Sequence, residues 1–180
     1  MARHLFKSVD AFVWHLAVNG IARGYFFYVS GWIPEGKDPL KVDAKLMERY
    51  LVTDSKWVRY RRRQRGEANV RYLRLGLFFV LIATEGTHPF FELEATVEDF
   101  RTTALRFHGL RIGAWQDRKG DWHPSVKLGP RRLERLVETL SVADERSVAT
   151  LLARVPGKKF KPVQWQLRKA LRSRDRSTGC

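Results

Sequence analysis

From Leu75 to Ala83 the chain carries nine consecutive residues without a polar side chain, and only Gly76 interrupts the apolar run. A membrane-spanning helix needs about 20 such residues, so the run reads as a buried element of a soluble core. It is rich in aromatic and β-branched residues and does not alternate. That pattern fits a strand with both faces covered. Residues 72–84 are accordingly expected to form the longest strand, at the centre of a sheet.

The flanking patterns supply partners for it. Ser8 caps an expected helix over 8–19, with Val9, Phe12, Val13 and Leu16 at helical spacing. Tyr25 to Ile33 reads as a strand and Pro34-Glu35-Gly36 as a turn. Asp38-Pro39 starts a second helix, a capping side chain followed by proline at the first position. Residues 90–95 are expected as a short strand and 97–103 as a short helix. Residues 105–116 and 122–128 read as hairpin arms around a loop at 117–121, with Pro124 placing the second arm at an edge. Helices opening at Pro130, Asp144 and Pro162 complete the chain. This order implies an α+β fold: a mostly antiparallel sheet of about four to five strands covered by helices on one face, with a helical basic C-terminal segment. The expected organisation is a globular domain over 1–156, then a basic helix and tail over 157–180 that orders on a partner.

One cysteine, Cys180, excludes an intrachain disulfide and cysteine-rich zinc sites; it is expected as an exposed tail thiol in a reducing compartment. Asp10, His4 and His15 fall where a secretory leader would be apolar, so a cytoplasmic protein with no membrane partner is expected.

The net charge is +15, and its placement is uneven. Residues 55–74 hold eight basic side chains against one acid, Glu67. Residues 154–180 hold nine against Asp175 alone. These two segments account for the whole excess, and the other 133 residues sum to zero. A single charge run is ordinarily a solvated face or a disordered tail. Two islands on a neutral body are the footprint of a polyanion-binding protein, and arginine's planar fork suits phosphate. The candidate nucleic-acid-binding residues are Lys56, Trp57, Arg59, Tyr60, Arg61, Arg62, Arg63, Arg65, Arg71 and Arg74 in the first island, and Lys158, Lys159, Lys161, Arg168, Lys169 and Arg172 in the second. Trp57 and Tyr60 interleave with cations as base-stacking side chains do. Anchoring to the core is the competing role, and it is the one expected of Trp165. The 105–128 hairpin exposes Arg106, Arg111, Arg118, Lys119 and Lys127 and could also lie along a backbone, but Asp117 and Asp121 weaken that reading.

Catalytic signals are sparse. The five histidines show no metal-ligand spacing, and the chain has no phosphate-binding glycine loop and no nucleophile elbow. If 90–95 is a strand, Glu92 and Glu94 share one face and, with His88 or Glu85, would suit magnesium on a phosphodiester. An edge strand blunted by charge explains the same two acids. The sequence therefore implies a nucleic-acid-binding protein without cofactor or catalysis, RNA ahead of DNA, acting in a ribonucleoprotein, mobile-element or defence complex. A magnesium-dependent nuclease or strand-transfer enzyme is the first alternative. A module docking on an acidic protein is the second.

Overall fold

In the computed structural model, which describes residues 4–52 and 55–178, the apolar run does lie mid-sheet, but as half of a hairpin rather than one long strand. Strand β3 pairs antiparallel with β4, registering Val70 with Ala83 and Leu75 with Phe78; here β3 is Val70–Leu75 and β4 is Phe78–Ala83. Gly76, at the turn, has φ +60°, a left-handed backbone that a side chain resists. The fold is α+β as expected, with the strands divided between two sheets. The first has the order β1–β3–β4–β2–β5, adding β1 (Leu5–Phe6), β2 (Phe27–Trp32) and β5 (Glu98–Asp99). Its β1 runs parallel to β3 and the other pairs are antiparallel. The second sheet is an antiparallel meander of β6 (Leu105–Phe107), β7 (Leu110–Gln116) and β8 (Trp122–Leu128). The single strand expected over 105–116 is thus a second hairpin, turned at His108-Gly109.

Helices cover the first sheet on both faces, not one. Helix α1 (Val9–Trp14) continues through a π-helical turn, His15–Gly20, into a 3-10 turn, Ile21–Arg23. Its Phe12, Val13 and Leu16 are fully buried with Leu73, Val80 and Ile82. Phe12 also ties the sheets together, its ring meeting Phe78 of the first at 6.0 Å and Phe107 of the second at 5.0 Å. On the opposite face, helix α2 (Pro39–Arg49) and the short α4 (Pro89–Leu93) enclose Val70, Tyr72, Leu81 and Ala83 together with Tyr50. The expected strand over 90–95 is therefore a helix. Pro89 presets its first turn and His88 caps it, Nδ1 accepting from the Phe90 amide at 3.0 Å. The short helix expected over 97–103 is instead β5 followed by a turn in which Thr102 and Thr103 donate to the Asp99 carbonyl.

The C-terminal half closes the second sheet. Helix α5 (Pro130–Val142) packs on α7 (Lys161–Thr178), and α7 packs on β8; α6 (Glu145–Ala153) contributes no buried residue. Val155 and Val163 join the main core, and the Gly157 amide donates to Asp10 at 2.7 Å. As Pro124 implies, β8 is an edge strand. Gln166 of α7 covers that edge. Its amide accepts from Leu128 N at 2.7 Å and donates to Leu128 O at 3.1 Å, standing in for a neighbouring strand. No helix among the described residues is long and apolar enough to cross a membrane. Cys180 lies outside the described residues.

Candidate nucleic-acid interface

Most of the first basic island folds as helix α3 (Lys56–Gln64), capped by Ser55, whose hydroxyl accepts from the Val58 amide. No residue of α3 is buried, so its position depends on polar ties. The Asn69 side-chain amide donates to the Arg59 carbonyl at 3.1 Å, fixing the helix to the start of β3. Arg62 donates to the Leu51 carbonyl at 2.9 Å and holds the segment that precedes it.

Helical spacing places Lys56, Arg59, Tyr60 and Arg63 on one side of α3. That side faces a cleft of about 230 Å³, completed by Arg23, Tyr25, Asn69, Arg71 and Thr84. Among the described residues, five cations from three elements line it and no carboxylate does. A neighbouring depression of about 260 Å³ shares Arg23, Arg63, Asn69 and Thr84, and there Glu67 and Glu85 join the wall. Arg71 is held in place: it donates to the Asn19 carbonyl at 2.5 Å, and its guanidinium lies 5.2 Å from the Tyr25 ring centre. At the outer surface Trp57 is 74% exposed and Tyr60 56%. Neither is a core anchor, and both rings offer a face to a planar ligand.

The island does not act as one patch. Arg71 and Arg74 lie three residues apart on a strand, so they point to opposite faces. Arg74 grips Asp43 through Nε at 2.7 Å and Nη2 at 2.8 Å, which raises its own proton affinity further, and it has no face left for phosphate. Arg65 pairs with Glu67 at 2.7 Å, and that hydrogen bond holds the Glu67 carboxyl below its usual range. Arg61 and Arg63 remain exposed on α3.

The second island is built differently. Lys158 and Lys159 are exposed ahead of α7, with the Lys158 ammonium donating to the Ala153 carbonyl at 2.9 Å. Along α7, Lys161, Trp165, Arg168 and Arg172 recur at helical spacing as an exposed stripe. Trp165 is 60% exposed, contrary to the anchoring role expected of it, and the Lys169 ammonium sits 5.5 Å from its ring centre. The apolar side of the same helix, Val163 and Leu167, faces the core. The two islands therefore occupy different elements, α3 by the first sheet and α7 by the second.

The acids considered for magnesium are dispersed. On helix α4, Glu92 is exposed, whereas Glu94, just past the helix end, accepts from the Tyr50 hydroxyl. Glu85 pairs with Arg101 at 2.8 Å. No group of three or more acidic, histidine or cysteine side chains among the described residues is placed to hold a metal. His88 is a buried cap. Burial pushes its imidazole below the ordinary value, Arg62 adding to the shift and Glu67 opposing it. The folded chain then binds this proton less readily than the unfolded chain, so stability falls as pH drops below the unfolded value of about 6.5. Thermal melts taken down from neutral pH are expected to show a falling Tm through that window. His88→Asn, which keeps a capping acceptor and removes the titrating ring, should flatten the dependence.

Arg23 is the cleft residue that the charge count passed over. It ends the 3-10 turn, far from either island in sequence, and lines the cleft with Asn69 and Arg71 at the start of β3. The adjoining Tyr25, packed under Arg71, was legible only as a strand aromatic. The chain matches no protein-family model, no curated protein and no solved structure.

Proposed function

We propose that this protein binds single-stranded or irregular RNA through its phosphates, with the cleft beneath α3 as the main contact. The observation that carries the proposal is the convergence of Arg23, Lys56, Arg59, Arg63 and Arg71 on one depression that no carboxylate among the described residues lines. Like charges gathered around a shared cavity repel one another, and an anion in that cavity removes the conflict. Trp57 and Tyr60 beside the cations favour unpaired bases, which stack on such rings. The α7 stripe repeats the combination of cations and an exposed tryptophan, which supports a second contact along the same strand. A non-catalytic role in the cytoplasm, within a larger ribonucleoprotein, mobile-element or defence complex, belongs to the same proposal.

The test is fluorescence-anisotropy binding of the full chain to single-stranded RNA, duplex RNA, single-stranded DNA and duplex DNA at about 0.15 M salt. Tightest binding to single-stranded RNA is expected. Preference for either duplex would overturn the choice of target, and no binding to any of the four would overturn the proposal.

A further inference from the structure

The second sheet turns one face inward and leaves the other open. Leu105, Ile112 and Val126 form one buried row across its three strands, and Phe107, Leu110 and Leu128 form another. Between these rows and pointing the opposite way, Arg106, Arg111 and Lys127 stand directly abreast, all three exposed. Like charges directly opposed across a sheet are destabilising. No carboxylate among the described residues lies within ion-pairing distance of the three. The row therefore weakens the fold unless an anion lies on it.

The corner beside the row adds to the charge. The hairpin turn His108-Gly109 has φ of +47° and +76°, the mirror-image geometry that two-residue hairpins favour. A Cβ on Gly109 would meet the Arg132 stem at 3.1 to 3.3 Å, so glycine lets Arg132 lie across the turn. Arg106, His108, Arg111, Arg131 and Arg132 line a depression of about 460 Å³ that no carboxylate among the described residues lines. A second depression of about 500 Å³ shares Arg111 and Pro130 with it and continues over Gly113, Ser125 and Lys127, with Glu134 as the one carboxylate among the described residues that line it. Further along the same face Trp115 is 52% exposed, its ring 5.2 Å from that of His123. Asp117, in the loop at that end, is occupied by His123 and by the Lys119 and Asp121 amides.

We infer that this face is a second track for single-stranded RNA, with Arg106, Arg111, Lys127, Arg131 and Arg132 taking backbone phosphates and Trp115 stacking an unpaired base. The inference rests on the proposed RNA binding and adds a surface that belongs to neither basic island.

The experiment compares the unaltered full chain with Arg106→Gln/Arg111→Gln, with Trp115→Ala, and with the α3 variant Lys56→Gln/Arg63→Gln, each titrated with single-stranded polyuridine RNA across a salt series. Two lost phosphate contacts should weaken binding about tenfold near 0.15 M salt and make the log–log salt slope shallower by about 1.4. Trp115→Ala should weaken binding about fivefold or more. The melting temperature of the double variant should hold or rise, because opposed charges have been removed. Unchanged affinity and slope in both sheet variants, with loss in the α3 variant, would overturn the track and leave the α3 cleft standing. Loss in the sheet variants with full binding by the α3 variant would support the track and overturn the cleft as main contact. A fall of several degrees in the double variant's melting temperature would mark the row as structural and overturn its assignment. No binding by the unaltered chain would overturn both readings.

Discussion

Asp43→Ala is expected to destabilise the fold by about 3 kcal/mol, the largest effect of any single substitution considered for this chain. Asp43 is buried beneath the first sheet and accepts from the Tyr72 hydroxyl at 2.6 Å as well as from Nε and Nη2 of Arg74. Removing it leaves a guanidinium whose side chain is only 11% exposed without its counter-charge. Breaking a buried pair from one side typically costs about 3–5 kcal/mol. The lower end applies because Arg74 keeps the Gly76 carbonyl as an acceptor, at 2.6 Å. In a chain of this size each kcal/mol moves Tm by about 2–4 °C, so thermal melts should show a drop of about 6–12 °C. A drop under about 2 °C would mean that Arg74 finds water or another acceptor. The same burial, with the Asp43 bond, pushes the Tyr72 phenol well above its ordinary range, so the network stays intact through alkaline pH where an exposed tyrosine would ionise.

The second large effect falls on binding. Arg23→Gln/Lys56→Gln/Arg63→Gln is expected to weaken RNA binding about 50-fold near 0.15 M salt and to make the salt slope shallower by about 2, on the basis of three single-strand phosphate contacts. These three line the cleft from two elements. Arg71 is left in place because its bond to the Asn19 carbonyl gives it a structural share. Since all three side chains are exposed, melting temperature should stay within about 2 °C of the unaltered chain. Arg65→Gln serves as the internal comparison: its guanidinium already faces Glu67, and its removal should leave the slope unchanged. Equal losses in the triple variant and in Arg65→Gln would point to general charge attraction rather than a built cleft.

Local chemistry made much of this fold readable. The caps at Ser8, Asp38 and Asp144 and the edge position of Pro124 follow from single residues, and all four stand where the sequence implies. The two hairpins were hidden for a common reason. An apolar or alternating run continues through a two-residue turn without losing its pattern, so 72–84 and 105–116 each read as one strand. Only Gly76 and Gly109 mark the reversals. Residues 89–93 carried β-like aromatics, but Pro89 and the His88 cap decided for a helix.

The charge distribution was legible as an amount and not as a surface. Counting along the chain joined Arg71 to Arg74, which the pleat sends to opposite faces, and omitted Arg23, which only the tertiary fold brings to the cleft. Arg106, Arg111 and Lys127 of the second sheet were legible as exposed hairpin cations, but Asp117 and Asp121 beside them hid their segregation, and all belong to the 133 residues whose charges cancel in sequence. Strand register then separates them from those acids and lines up Arg106, Arg111 and Lys127. Segregation of that kind is a property of pairing geometry, and a sum over sequence has no access to it.

The most direct measurement is photocrosslinking of the full chain to thiouridine-labelled single-stranded RNA, with the adducts located by mass spectrometry. Trp57 and Tyr60, exposed beside the cleft cations, are expected to carry adducts, and the yield should fall as salt is raised. Efficient crosslinking that leaves α3 unmodified, or bound RNA that yields adducts only on segments remote from both the cleft and α7, would contradict the account.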